Sequence, residues 1–244
     1  MDESLNISVI VPARNERDNI GATLDRIARG SVYEIIVADG ESDDGTADVA
    51  AAHGAVVVTC EPGRGGQLNA AADRATGDVL LFVHADTVLP DGFGEHVMRV
   101  LEQDGVVAGA FGLRIDAPQK SLRVIESVAN YRSRARGLPY GDQAIFVRTD
   151  LFRQMGGFPD MPVMEDYEFM RRLRKKGKIG IAPACVKTSA RRWLNHGIWR
   201  TTLKHQFILV AYHLGVSPQT IARWRSRRKM NGKESADVES PQSS

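Results

Sequence analysis

"LLFVHADTVLP", residues Leu80 to Pro90, is the stretch on which the fold turns. Apolar residues run unbroken from Leu80 to Val83, the run stops at His84 and Asp86, and Pro90 follows shortly after. A short apolar run without alternation suits a strand buried on both faces, as in parallel sheets covered by helices. Such a strand ends on a carboxylate for one of two reasons. Either the aspartate closes a turn, or the strand carries a charge to something bound at its tip.

On both sides of this stretch the same unit recurs. "ISVIV" (Ile7 to Val11) is a buried strand, and "DNIGATLDRIARG" follows it with Ile20, Leu24 and Ile27 on one helical face and Gly30 to close it. "EIIVAD" (Glu34 to Asp39) is a second strand, after which Thr46 reads as the N-cap of a helix ending at Gly54. "AVVVTC" (Ala55 to Cys60) is a third, with a helix over "GQLNAAADRATG". After the "VLLFV" strand, "GFGEHVMRVLEQDG" carries Phe93, Val97, Val100 and Leu101 on a further helix. Strands alternating with helices predict an α/β fold with a parallel sheet covered on both faces. Right-handed crossovers then leave the strand C-terminal ends on one rim, where open α/β sheets bind ligands.

Past Val106 the pattern becomes mixed. "VVAGAFGLRI" partly alternates, Lys120 to Arg136 is a basic helix, "GLPYGDQ" a loop and "AIFV" a strand, ahead of "GGFPDMPVMEDYEFMRRLRKKG". These read as elements added to the same sheet. We therefore expect one domain over residues 1–197, a basic amphipathic helical segment over 198–230, and a polar, Ser-rich, disordered tail over 231–244.

Composition narrows the function. The chain has 244 residues, 43% hydrophobic and 25% charged, with a formal charge of +2. Near-neutrality implies no overall field toward nucleic acid or membrane. The distribution is uneven, because Lys187 to Lys233 holds eleven Lys/Arg and no Asp or Glu. Cys60 and Cys185 give neither metal spacing nor a disulfide framework, which suits a reducing cytosol. No signal-peptide pattern and no apolar run of membrane-spanning length is visible, so the expectation is a cytoplasmic chain, soluble or peripheral on the inner membrane face.

Four polar features follow the first four strands: Pro12-Ala13-Arg14-Asn15-Glu16, Asp39 with "GESDDGT", "EPGRGGQLN", and His84-Ala85-Asp86. Each alone is ordinary turn chemistry. In a parallel sheet, however, all four converge on one rim. In this order they resemble the nucleotide-sugar-binding half of a family 2 glycosyltransferase, the GT-A fold: a single Rossmann-like domain with a mostly parallel, mixed central sheet flanked by helices. "PARNE" resembles that family's Pro-x-x-Asn-Glu turn, "DGESDDGT" its acidic loop, and "GRGGQLNAA" its loop and helix over the donor. "HAD" is similar to the Asp-x-Asp motif, "MEDYEF" to the Glu-Asp pair with the catalytic base, and "SARRW" (Ser189 to Trp193) to Gln-x-x-Arg-Trp. The likeness runs from about Ile7 to Trp193 and is nearest to short bacterial members carrying "GDQ".

The resemblance implies an inverting transfer of one sugar from a nucleotide-diphosphate sugar to a hydroxyl acceptor. Pro12, Arg14, Asn15, Glu16, Asp39, Ser42, Arg64, Gly65, Asn69, His84, Ala85, Asp86, Arg192 and Trp193 are the expected donor-binding residues. Asp39 would meet the nucleobase, with a UDP-sugar slightly favoured. Asp86 would hold Mg2+ or Mn2+, a hard cation that bridges diphosphate oxygens. Asp166 would be the general base and Glu165 its neighbour orienting a loop or acceptor; both acids equally suit the start of a helix. Asn69 faces the donor or packs its turn. Two departures stand out. His84 replaces the first aspartate of the motif, where it either favours Mn2+ or packs on the ribose. Ser189 replaces the glutamine associated with polymer-making members, which implies one sugar per event.

"GIWRTTLKHQFILVAYHLGVSPQTIARWRSRRK" mixes an apolar stretch with basic and aromatic residues. It suits either an interfacial helix bringing the enzyme to a lipid-like acceptor or packing on the body. Within it, "HLGVSPQTIARW" has the look of a helix-turn-helix, so DNA binding is a rival, although we expect no nucleic-acid partner. A sugar-nucleotide nucleotidyltransferase is the nearer alternative, but it would carry its glycine loop after the first strand. A dinucleotide-dependent oxidoreductase fails because "PARNE" lacks the glycines.

Overall fold

The computed structural model describes residues 5–30 and 32–224. The tail expected over 231–244 and the basic residues after Trp224 lie outside the described residues. Strand β1 (Ile7–Ala13) pairs in parallel with β2 (Glu34–Asp39) and with β4 (Val79–Phe82), while β3 (Val56–Thr59) pairs in parallel with β2. Helices α1 (Arg17–Ala28), α2 (Thr46–Ala52) and α3 (Arg64–Arg74) form the crossovers between them. Burial on both sides explains the unbroken apolar run from Val79 to Val83. Val79, Leu81 and Val83 pack with Ile20, Leu24 and Phe93 on one face of the sheet. Leu80 and Phe82 pack with Leu68, Phe158 and Phe169 on the other. Each such buried side chain stabilises the fold by about 1.5–3 kcal/mol.

The second half joins the same sheet. After β5 (Thr87–Val88) and α4 (Phe93–Leu101) come β6 (Val106–Asp116), α5 (Lys120–Arg136), a 3-10 turn (Gly141–Gln143) and β7 (Phe146–Arg148). They are followed by α6 (Thr149–Gln154), α7 (Glu165–Leu173), β8 (Lys178–Ser189), α8 (Arg191–His196) and α9 (Ile198–His213). The eight strands lie in the order β3-β2-β1-β4-β7-β6-β8-β5, with β7 antiparallel to both β4 and β6. The result is the mostly parallel, mixed sheet flanked by helices that the sequence predicts.

Three local details differ from the expectation. Thr46 is the first residue of α2, not its N-cap; Gly45, at φ 87°, takes the cap position. The Thr46 hydroxyl instead accepts the Glu16 amide at 2.9 Å, tying the β1 turn to α2. α3 begins at Arg64, so the arginine and both following glycines form its first turn. β8 gives little signal in the sequence because its buried positions hold Gly180, Ala182 and Thr188 beside only one large apolar residue, Val186, so no apolar alternation is visible.

Candidate active site

The turn after β4 is held from two sides. The Val83 amide donates to the Ile10 carbonyl at 2.9 Å, continuing the β1 pairing, and the Ser189 amide donates to the Asp86 carbonyl at 3.2 Å. β5 then pairs antiparallel with the end of β8, Thr87 opposite Thr188. Because α8 starts two residues after β8, this pairing brings Arg191 and Arg192 onto the His84-Ala85-Asp86 turn. The Arg191 guanidinium meets both Glu16 carboxylate oxygens, at 3.1 and 3.2 Å.

These segments enclose a cleft of about 430 Å3, within the range of small-molecule sites. Its lining comes from the β1 turn (Pro12, Ala13, Arg14, Glu16), the start of α3 (Arg64, Gln67), the β4 turn (His84, Ala85, Asp86) and α8 (Arg191, Arg192, Asn195). Four guanidinium groups face two carboxylates, a balance that favours an anion with several acceptor oxygens. A somewhat larger hollow of about 500 Å3 lies on the surface of α5 between Ser127, Asn130, Tyr131 and Arg134. It gathers no comparable chemistry.

Burial sets the protonation of the β4 turn. Burial first, then Arg64 and Arg192, push His84 well below the ordinary histidine range, so its ring is neutral. Its buried Nε2 has no hydrogen-bond partner among the described residues. Burial raises Asp86, Glu16 raises it further, and Arg191 and Arg192 oppose them. A carboxylate destabilised in this way gains from a cation beside it. Among the described residues no group of three or more His, Cys, Asp or Glu could hold a metal ion. Any ion at Asp86 would therefore take its remaining ligands from a bound anion and water, the habit of Mg2+ at phosphate sites.

Pro12, Arg64 and His84 also line a narrow recess whose far wall includes Gly141 and Asp166. The Asp166 carboxylate is fixed at both oxygens. The Gly141 amide donates to Oδ2 at 2.7 Å, and the Tyr167 amide to Oδ1 at 2.7 Å. Gly141 allows this approach, because a Cβ there would lie 2.7 Å from Arg64 Nη2 and 3.0 Å from Asp166 Oδ2. Glu165 is buried and faces Arg64 at 3.5 Å, tying the start of α7 to the start of α3. Asn15 (φ 53°), Glu41 (φ 54°), Ala144 (φ 48°) and Met164 (φ 68°) are non-glycine residues in the left-handed region. All four border the rim or recess, and such strain of about 1–3 kcal/mol per residue collects at functional sites.

Other expected residues stand beside the cleft. Asp39 is buried; its Oδ2 accepts the Ser42 amide at 3.0 Å, and its Oδ1 has no partner among the described residues. Ser42 Oγ accepts the Asn15 amide at 3.0 Å, so these residues knit the β1 and β2 turns into one rim. Gly65 lets α3 approach the loop between α6 and α7, since a Cβ there would meet the Pro159 carbonyl at 3.1 Å. Asn69 spends its whole amide on the Phe158 backbone, two bonds of 2.9 Å. Trp193 is not among the cleft-lining residues; it packs with Leu113, Ile115 and Leu122 beneath α8.

Sequence reasoning passed over Gln67, and noted Gly141 and Asp142 only within "GDQ", with no role assigned. Gln67 Nε2 donates to the Ala13 and Ala38 carbonyls at 3.0 and 2.9 Å, binding α3 to two strand ends. Its only signal was an amide at a position facing the sheet. Burial raises Asp142; Arg132 opposes this and Asp166 adds to it.

Relatives share about a third of the chain. A glucosyl-3-phosphoglycerate synthase of Mycolicibacterium smegmatis is 37% identical over 97 residues, 35% of this chain and 32% of the relative. An uncharacterized glycosyltransferase of Mycobacterium bovis is 38% identical over 87 residues, 35% of this chain and 39% of that one. The alignments thus span only about 32% to 39% of those curated relatives. Among solved structures, a mannosyltransferase from Pyrobaculum calidifontis, in complex with GDP-Man and Mn2+, superposes with a TM-score of 0.62 at 22% identity, covering 77% of this chain and 57% of that one. That likeness shows the fold, which is GT-A. The model of Glycosyl transferase family 2 matches residues 8–158, more than half of the sequence, and the chain belongs to that family.

Proposed function

We propose that the protein is an inverting glycosyltransferase that moves one sugar from a nucleotide-diphosphate sugar to a hydroxyl acceptor, with Mg2+ or Mn2+ at Asp86. The observation that carries this reading is the cleft itself. The half-buried carboxylate of Asp86 and four arginines share it, and Pro12, Arg64 and His84 join it to a recess reaching Asp166. One structural neighbour supports it: the Mycobacterium tuberculosis glucosyl-3-phosphoglycerate synthase was solved with Mn2+, UDP and glucosyl-3-phosphoglycerate.

In this mechanism Arg64 and Arg192 bind the diphosphate, helped by the first-turn amides of α3 at Gly65 and Gly66. The free Oδ1 of Asp39 accepts a nucleobase N–H, which favours the imide of uracil. Neutral His84 adds no charge to the site and packs against the donor. Asp86 would hold a divalent cation, which would supply charge neutralisation for the diphosphate. Asp166 takes the proton of the acceptor hydroxyl as that oxygen attacks the anomeric carbon. The carbon–oxygen bond to the diphosphate breaks on the opposite face, which inverts the centre. The acceptor is lipid-like or membrane-associated, and the enzyme works on the cytoplasmic side, peripheral to the inner face. Family membership leaves the nucleotidyltransferase and DNA-binding readings without support; Ile221, in the helix-turn-helix-like segment, is buried with Val163 and Ala211 as part of the body.

Thermal shift with UDP-, GDP- and other nucleotide sugars, with and without Mn2+, tests the reading. One nucleotide class should stabilise the fold, and Asp86→Asn should abolish the metal-dependent part. Asp166→Asn should keep donor binding while slowing transfer by about 10²–10⁴-fold. No response to any nucleotide, or near-normal transfer by Asp166→Asn, would overturn it.

A further inference from the structure

Away from the cleft, α9, together with its C-cap Leu214, turns a row of large apolar side chains to solvent. Trp199, Leu203, Phe207, Val210 and Leu214 are 60%, 66%, 60%, 55% and 80% exposed. At about 100° per residue their spacing places all five within about 80° of the helix circumference, in a stripe roughly 22 Å long. Trp224, its ring 5.8 Å from that of Phe207, widens the row. The other side of α9 is already engaged. Ala211 is buried with Val163 and Ile221, the Tyr212 hydroxyl donates to Glu168 at 3.0 Å, and the Tyr167 hydroxyl lies 2.8 Å from His213 Nε2. The helix is thus docked on α7 with its apolar stripe outward, and contiguous exposed apolar surface marks an interaction site.

Charge identifies the occupant. Exposed Arg200 adjoins the stripe, exposed Arg223 adjoins Trp224, and the sequence from Lys187 to Lys233 holds eleven Lys/Arg with no acid. A second copy seated on this face would bring two such basic blocks together, like against like. An anionic lipid surface instead takes the apolar row into its headgroup boundary and the cations against its phosphates. Among the described residues no helix is long and apolar enough to cross a membrane, so the helix would lie along the interface.

We propose that the Trp199–Leu214 face of α9 is an interfacial docking surface for an anionic membrane. This deepens the reading above by naming the surface, and rests on that reading only for the acceptor. α7 carries Asp166 in its first turn and is bonded to the inner side of α9, so docking fixes the recess at a set distance from the lipid.

The test uses the full chain with vesicles of phosphatidylglycerol and phosphatidylcholine against vesicles of phosphatidylcholine alone. Flotation with the anionic vesicles and a blue shift of tryptophan emission are expected, both falling at high salt. The Leu203→Ser/Phe207→Ser double variant should bind the vesicles at least about tenfold more weakly, with its binding of nucleotide sugar unchanged. If circular dichroism shows that this variant misfolds, Val210→Ser/Leu214→Ser carries the same test. Absent flotation of the wild type, equal flotation of wild type and folded variant, or a dimer that the substitutions dissolve would each overturn the proposal. A chain that floats yet binds no nucleotide keeps the docking surface and sinks the donor reading instead.

Discussion

Replacing Gly141 with alanine adds one methyl group close to both the carboxylate of Asp166 and the guanidinium of Arg64. The added carbon would lie 2.7 Å from Arg64 Nη2, 3.0 Å from Asp166 Oδ2 and 3.5 Å from Arg64 Cζ. Unstrained heavy-atom contacts begin near about 3.5 Å, so something must withdraw by roughly 0.8 Å. Asp166 yields poorly, because both its oxygens accept backbone amides at 2.7 Å, and losing one such bond costs about 1 kcal/mol. The flexible end of Arg64, whose side chain is 36% exposed, moves instead and loosens its pairing with Glu165. Fold stability should fall by only about 1 kcal/mol, the low end of overpacking. Transfer should fall more, by about 10–100-fold, since a shift near 1 Å beside the reacting atoms reaches that size. Donor affinity should weaken less than transfer does. Single-turnover transfer at saturating donor, with calorimetric donor titration, separates the two. In an Arg64→Ala background the methyl group has room, so its further effect should shrink, a coupling that a double-mutant cycle reads directly. Wild-type transfer by Gly141→Ala, or an equal penalty in both backgrounds, would refute the reasoning.

Asn69→Ala strands the amide and carbonyl of Phe158 and should cost about 2–3 kcal/mol in urea unfolding, with nucleotide affinity unchanged. Lost affinity at unchanged stability would instead make Asn69 a donor contact. Glu34 offers a pH test. Burial raises it, but hydrogen bonds from Ser8, Thr76 and Gly77 outweigh burial and hold it below its ordinary 4.5. Its contribution is therefore present above about pH 4.5 and lost as pH falls through the depressed folded value. Glu34→Gln should destabilise the fold at neutral pH, the gap to wild type closing in acid; a gap that widens there would show the sign to be wrong.

Legibility differed along the chain for physical reasons. The first four strands and their helices stood out because burial on both faces demands unbroken apolar runs and the crossovers demand amphipathic periods. α5 was readable to its bounds, Lys120–Arg136. β8, with small residues at its buried positions, carried no comparable signal, and Gln67 offered only an amide on the sheet-facing side of α3. Trp193 shows the converse. Its place in "SARRW" suggested the donor, but local sequence does not say which side of α8 faces the cleft, and packing turned the indole toward Leu113 and Leu122.

By itself the sequence determined the parallel half of the sheet, the rim of polar turns following its strands, and the family. Those properties are written in local periodicity and in side-chain types at strand ends. Only the tertiary structure decided which turns share a cleft. Arg191 meets Glu16 from 175 residues away because β8 closes on β5, and Asp166 takes the amide of Gly141 across 25 residues. Such pairings depend on strand register and helix docking, where many weak contacts must be satisfied together, and no single stretch of the chain encodes their sum.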